Sequence, residues 1–271
     1  MTSFLRFLAA VLLLFPIWVS AASEKESIEE ISSSLSSITE EQIPALTEKA
    51  NAGDSKAQLL LGFAYFYGRG ITKDNDEANK WLEKAGEQGN ILAQYQLGVN
   101  YATPATTAKP DFDQAAKWYA KAAKQGNAEA QFRLGTHYRM GAGVAQSDAD
   151  AVKWFQKAAD QGHAEAQWSL GLMYQRGFGI AKSEAAAAKW YRLSAEQGFA
   201  KAEYYLATLY ELGMGVPKDN VSAYKWHTVA VAMGEPSALR FREYLAERMT
   251  QKEITTGQQQ ATKWLSQHQQ K

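Results

Sequence analysis

Residues 128–163 read AEAQFRLGTHYRMGAGVAQSDADAVKWFQKAADQGH, and residues 164–199 read AEAQWSLGLMYQRGFGIAKSEAAAAKWYRLSAEQGF. Placed one under the other, they keep Leu134 with Leu170, Gly135 with Gly171, Tyr138 with Tyr174, Trp154 with Trp190 and Gly162 with Gly198. The pattern continues outward in both directions. Trp81, Trp118, Trp154, Trp190 and Trp226 lie 37, 36, 36 and 36 residues apart, and Tyr65, Tyr101, Tyr138, Tyr174 and Tyr210 keep the same step within one residue. Leu61-Gly62, Leu97-Gly98, Leu134-Gly135 and Leu170-Gly171 recur in phase, with Leu206-Ala207 as the fifth copy. Each copy closes on a glycine: Gly89, Gly126, Gly162, Gly198 and Gly234. A fixed period of this length is the signature of a repeat architecture.

Within a copy the apolar spacing is helical twice over. In the third, Ala130, Leu134 and Tyr138 place a first helix over 128–140, and Gly141-Ala142-Gly143 ends it. A second helix starts near Ser147, a suitable N-cap, and carries Ala151, Trp154, Phe155, Ala158 and Ala159 until Gly162. Gly135, in mid-helix, costs about 1 kcal/mol relative to alanine, which is explained if a neighbouring helix approaches there. One such hairpin cannot cover its own apolar face, so the copies must stack. The expected fold is all-α: a right-handed α-solenoid of stacked helix-turn-helix repeats.

On these residues the chain resembles the Sel1-like repeat proteins, relatives of tetratricopeptide repeats with a slightly longer period. The resemblance covers 55–235, divided as 55–90, 91–127, 128–163, 164–199 and 200–235. The second copy departs from it, since Ala102-Thr103-Pro104-Ala105 replaces the Gly-x-Gly turn and predicts an irregular loop. Flanking segments 22–54 and 236–271 are expected to cap the stack. They contain a helix or arm over 28–38, a short helix from Pro44 to Ala50, a helix from Pro236 to Met249, and a last turn over 261–265 carrying Trp264.

Residues 1–21 differ in composition from the rest. Arg6 precedes a thirteen-residue apolar run, Phe7 to Val19, interrupted by Pro16. That is too short for a membrane span and fits a secretory signal, cleaved after Ala21 or alternatively Ala22. The expectation is an exported chain, periplasmic or secreted.

Composition narrows the chemistry. With 29 basic and 29 acidic side chains the net charge is zero, which argues against a nucleic-acid partner or a polybasic membrane-surface protein. Absent cysteine excludes disulfides, thiolate catalysis and cysteine-ligated metal. The four histidines, His137, His163, His227 and His268, lack the spacing that places two ligands on one helical face, so no metal is expected. The Gly-x-Gly turns at 68/70, 141/143, 177/179 and 213/215 follow no strand and precede no Gly-Lys-Ser/Thr, so they read as turns needing positive φ, and no cofactor is expected. Ser222-Ala223-Tyr224-Lys225 matches the Ser-x-x-Lys of penicillin-recognising enzymes. However, Lys225 falls where Lys80, Lys117, Lys153 and Lys189 precede the other repeat tryptophans, and the companion motifs are missing.

Positions identical in nearly every copy serve the shared packing, which leaves the variable ones for binding. By analogy with tetratricopeptide superhelices, the exposed side of each first helix lines a concave groove. Leu59, Tyr95, Phe132, Trp168 and Tyr204 would lie two residues before the repeat leucine. Phe63, Val99, Thr136, Leu172 and Thr208 would lie two after. Just past the repeat tyrosine come Tyr67, Arg139, Arg176 and Glu211. Such a stripe is large, aromatic and apolar for an exposed surface, and arginine beside aromatics is what protein-binding hot spots are made of. The partner-binding set expected from the sequence is Leu59, Phe63, Tyr67, Tyr95, Phe132, Arg139, Trp168, Leu172, Arg176, Tyr204 and Glu211. The expected function is a monomeric, non-catalytic adaptor that binds a protein or peptide. The resemblance implies work in envelope signalling, secretion or host interaction, away from the membrane once the signal is removed. The alternatives are a hydrolase acting on β-lactams or cell wall, and a glycan-binding module.

Overall fold

The computed structural model describes residues 22–104 and 109–268 and holds fourteen α-helices with no strand among the described residues. The chain forms two compact units, residues 1–147 and 148–271, the boundary falling between the two helices of the third copy. The expected signal segment lies outside the described residues.

The first unit begins with α1 (Ala22–Ser37), a 3-10 turn (Glu40–Gln42) and α2 (Ile43–Asn51). The hairpins α3 (Ser55–Tyr67) with α4 (Asn75–Glu87) and α5 (Ile91–Ala102) with α6 (Phe112–Lys124) follow, then α7 (Ala128–Met140). Each helix packs on the next, α4 on α5 and α6 on α7, so hairpins share walls as well as closing on themselves. The second unit opens with α8 (Asp148–Asp160). The hairpins α9 (Ala164–Arg176) with α10 (Glu184–Ala195) and α11 (Ala200–Leu212) with α12 (Asn220–Ala232) come next. Both α13 (Ser237–Ala246) and α14 (Gln251–His268) lie against α12.

Local sequence sets the helix ends. Asp54, Asn90, Asn127 and His163 precede the four first helices α3, α5, α7 and α9, and each side chain accepts from the backbone N–H three residues on. That satisfies one of the donors a helix start leaves unpaired. His163 does this through Nδ1, a role the spacing of the histidines does not suggest. At the other end, Gly141 stops α7 in the left-handed conformation, φ 68°. Two residues later Gly143 lies against the backbone of Phe112, where an added Cβ would stand 1.9 Å from the carbonyl oxygen. A side chain at Gly143 would therefore force the turn off the start of α6.

The core is built from alanines, leucines and the repeat aromatics. In the second unit Ala187, Ala188, Tyr191, Leu206, Leu209, Trp226 and Trp264 form one buried cluster, with Trp226 and Trp264 edge to face at 5.7 Å. Small residues let the helices close in. Gly98 carries no side chain because Tyr119 lies over it, and Gly171 because Tyr191 does.

A hydrogen-bond ladder links successive hairpins. Gln58, Gln94, Gln131 and Gln167 are all buried, and the Nε2 of each donates to a carbonyl eight residues earlier, those of Ala50, Gly86, Ala123 and Ala159, at 2.8 to 3.1 Å. The Oε1 atoms of Gln58, Gln94 and Gln167 accept from Gln88, Gln125 and Gln197 at 2.7, 2.7 and 2.6 Å. In the fifth copy both partners change. Glu203 stands at the first position and Met233 at the second.

Candidate functional site

In the first unit the expected groove positions do not share one environment. Leu59 and Phe63 are 1% and 7% exposed and lie in a core cluster with Ile31 and Leu35 of α1. The chain's own N-terminal helix thus occupies the face that the first copy would present, and Lys56 of α3 pairs with Glu30 of α1 beside it. Tyr67, half-buried, packs on the same cluster, and burial pushes its hydroxyl pKa up. Tyr95 is buried, its ring 6.0 Å from that of Tyr119, and its hydroxyl pKa is likewise raised by desolvation. Leu59 and Phe63 are therefore core residues covered by α1, and the expectation that they line an open groove is corrected, whereas Tyr95, 9% exposed, borders a pocket together with Tyr119. The signal was present in the sequence, since Ile28, Ile31, Leu35 and Ile38 form an apolar stripe that needs a surface to cover.

Phe132 and Arg139, on α7, remain partly or wholly accessible. The Arg133 guanidinium lies 5.7 Å from the Phe132 ring and is tied to Glu129 at 2.7 Å. Met140 and Phe112, which the sequence reading did not select, are 65% and 43% exposed.

In the second unit Trp168 and Leu172 are half-buried on α9 and Arg176 is exposed at its end. The Trp168 ring is flanked by Phe199 at 5.8 Å and Tyr205 at 6.1 Å, and the Lys201 ammonium stands 5.4 Å above it. Its indole N–H is buried without a partner. Tyr204 and Glu211 are covered in part by α13 and the turn after it. Phe241 packs edge to face on Tyr204 at 5.4 Å, and Arg248 pairs with Glu211 at 2.6 Å. The terminal element in each unit thus shields the outermost groove positions, and Trp168, Leu172 and Arg176 are left as the accessible group of the second unit.

The Ser-x-x-Lys residues are engaged elsewhere. Ser222 Oγ donates to Asp219 Oδ2 at 2.6 Å within the cap of α12, and Lys225 Nζ lies 4.2 Å from the Trp226 ring. Burial lowers the Lys225 pKa. Among the described residues no three histidine, aspartate or glutamate side chains gather as a metal site would require, and no helix is long and apolar enough to cross a membrane.

Helical hairpins of nearly one length, sharing walls with their neighbours within each unit, define an α-solenoid. The chain belongs to the Sel1 repeat family, whose model matches residues 55–90, 91–127, 128–163, 164–199 and 200–235. A Sel1 repeat protein from Oxalobacter formigenes is similar in structure, with a TM-score of 0.65 and 31% identity over 81% of this chain and 86% of that one. A protective antigen of uropathogenic Escherichia coli strains displaying an SLR fold is similar with a TM-score of 0.56 and 29% identity. That likeness covers 82% of this chain and 56% of the antigen. The Secretory immunoglobulin A-binding protein EsiB of Escherichia coli is 40% identical over 52 residues, 19% of this chain. The matched stretch spans only 11% of EsiB. Sel1 repeats generally serve as protein-interaction scaffolds.

Proposed function

We propose that this protein is a non-catalytic adaptor that binds a polypeptide partner on the accessible faces of its first helices, after export and removal of residues 1–21. The observation that carries this reading is the seating of α1: Ile31 and Leu35 lie on Leu59 and Phe63, so a first-helix face of this chain already accepts an amphipathic helix. The same two register positions hold Phe132 and Thr136 on α7, and Trp168 and Leu172 on α9, where they are only half-buried. Aromatic side chains beside exposed arginines are the usual anchors of a protein interface. The engagement of the Ser222 hydroxyl by Asp219, the cap of α12, weighs against the hydrolase alternative. Capture of an antibody by EsiB is in keeping with an extracytoplasmic partner, in envelope signalling, secretion or host interaction.

The test is a cross-linking pull-down with the mature chain and with Trp168→Ala, read by mass spectrometry. Partner capture lost in the variant, with its melting temperature little changed, supports the reading. Capture unaffected by Trp168→Ala, or turnover of a chromogenic β-lactam lost in Ser222→Ala, ends it.

A further inference from the structure

The first unit contains a half-open pocket of about 590 Å³ between α5, α6 and α7, within the size range of ligand-binding cavities. Its existence is a departure from the repeat. Two copies further on, in the second unit, the matching junction is occupied: Tyr205 stacks on Tyr191 at 5.2 Å, Leu209 is fully buried, and Met214 packs on the same core. In the first unit those three positions are Arg133, His137 and Ala142, all lining the pocket. Glu184, at the start of α10, corresponds to Phe112, an exposed phenylalanine where the other copy carries a charge.

The lining fixes the chemistry of an occupant. Tyr95, Tyr119 and Phe112 supply aromatic walls, and the exposed Met140 stands at the rim. The His137 ring is held edge-on by Tyr119 at 5.4 Å and Phe112 at 5.9 Å. Its Nδ1 lies 2.7 Å from the Ala142 carbonyl, which can only accept, so Nδ1 carries the proton and donates. Burial lowers the His137 pKa, so the ring is neutral and Nε2 is left as an acceptor. Arg133 is the one charged residue of the lining, and its Nε donates to Glu129. With its charge matched, an anion gains little there, whereas a neutral group that both donates and accepts suits the pair of polar side chains. We infer that this pocket receives a tyrosine side chain of the partner, its ring between the aromatic walls and its phenol donating to His137 Nε2. The inference deepens the partner-binding reading and is tested without any partner, so that each can fail separately.

The probe is N-acetyl-tyrosinamide, titrated into the isotope-labelled mature chain while the amide signals of Thr136 and residue 137 are followed. Saturable shifts are expected, with N-acetyl-phenylalaninamide binding about fivefold weaker, the size of one net hydrogen bond. Ala142→Met, which installs the residue the second unit carries, should abolish the shifts without lowering the melting temperature. His137→Leu, copying Leu209, should bring the two amides to equal affinity. Absence of saturable shifts in the wild-type chain, unchanged binding in Ala142→Met, or a tyrosine preference that survives His137→Leu would each overturn the assignment.

Discussion

The ring of Tyr191 lies across Gly171 so closely that a methyl group on the glycine would come within 2.7 Å of its Cδ1 and Cε1. Tyr191 is fully buried and stacked on Tyr205, so it has nowhere to retreat. Gly171→Ala should therefore lower stability by about 1–3 kcal/mol, although alanine favours the isolated helix by about 1 kcal/mol. Chemical denaturation of the variant checks this, and a gain in stability would mean that the helices separate freely at that point.

Glu203 gives stability a pH dependence of definite sign. The carboxyl is fully buried with neither oxygen paired, and desolvation pushes its pKa up to about 8. Folding therefore takes up a proton between the unfolded value, about 4.3, and 8. The contribution is fully present below pH 4 and is lost as pH rises through 8. Glu203→Gln restores the donor found in the other four copies. The stability difference between variant and wild type should widen from pH 5 to pH 8 and then level off, as measured by urea unfolding across that range.

His227 acts in the opposite direction. It is fully buried, and desolvation, with Arg242 adding to it, lowers its pKa to about 4. Its contribution is present above pH 6.5 and is lost as pH falls through 4. His227→Phe should keep the ring packing against Phe241 and Tyr204 while flattening the acid limb of a pH-melting curve.

Helix α1 should come away before the rest of the first unit. It is anchored by Ile31 and Leu35 and by one exposed ion pair, of a kind worth about 1 kcal/mol or less. Leu35→Ala removes about 2–4 kcal/mol of burial, enough to leave α1 undocked. Hydrogen exchange should then accelerate over 29–38 and over Leu59 to Phe63, with α5 and α6 protected as before. Uniform acceleration would mean that α1 unfolds together with the hairpins.

Much of this fold could be read from the Trp, Tyr and Leu-Gly periods, because a residue that must fill the same contact in each copy recurs at the same step. Leu61, Leu97, Leu134, Leu170 and Leu206 are buried for that reason. The candidate site was less legible. Whether a groove position faces solvent depends on what else lies upon it, and that is decided by non-repeating segments: α1 over Leu59 and Phe63, Phe241 over Tyr204. The pocket beside His137 could have been found by asking which copies carry smaller or more polar residues where another carries Tyr205, Leu209 and Met214. Its importance emerges only when the junctions are compared in three dimensions.

The glutamine ladder also records how such an array can grow. An extra cassette inserted among the early copies would bring both members of its own amide pair and need from the copy before it only a main-chain carbonyl, with no bond left open. The fifth copy, with Glu203 and Met233 in those two places, is held to its neighbour without the amide pair that the earlier ones carry inside themselves.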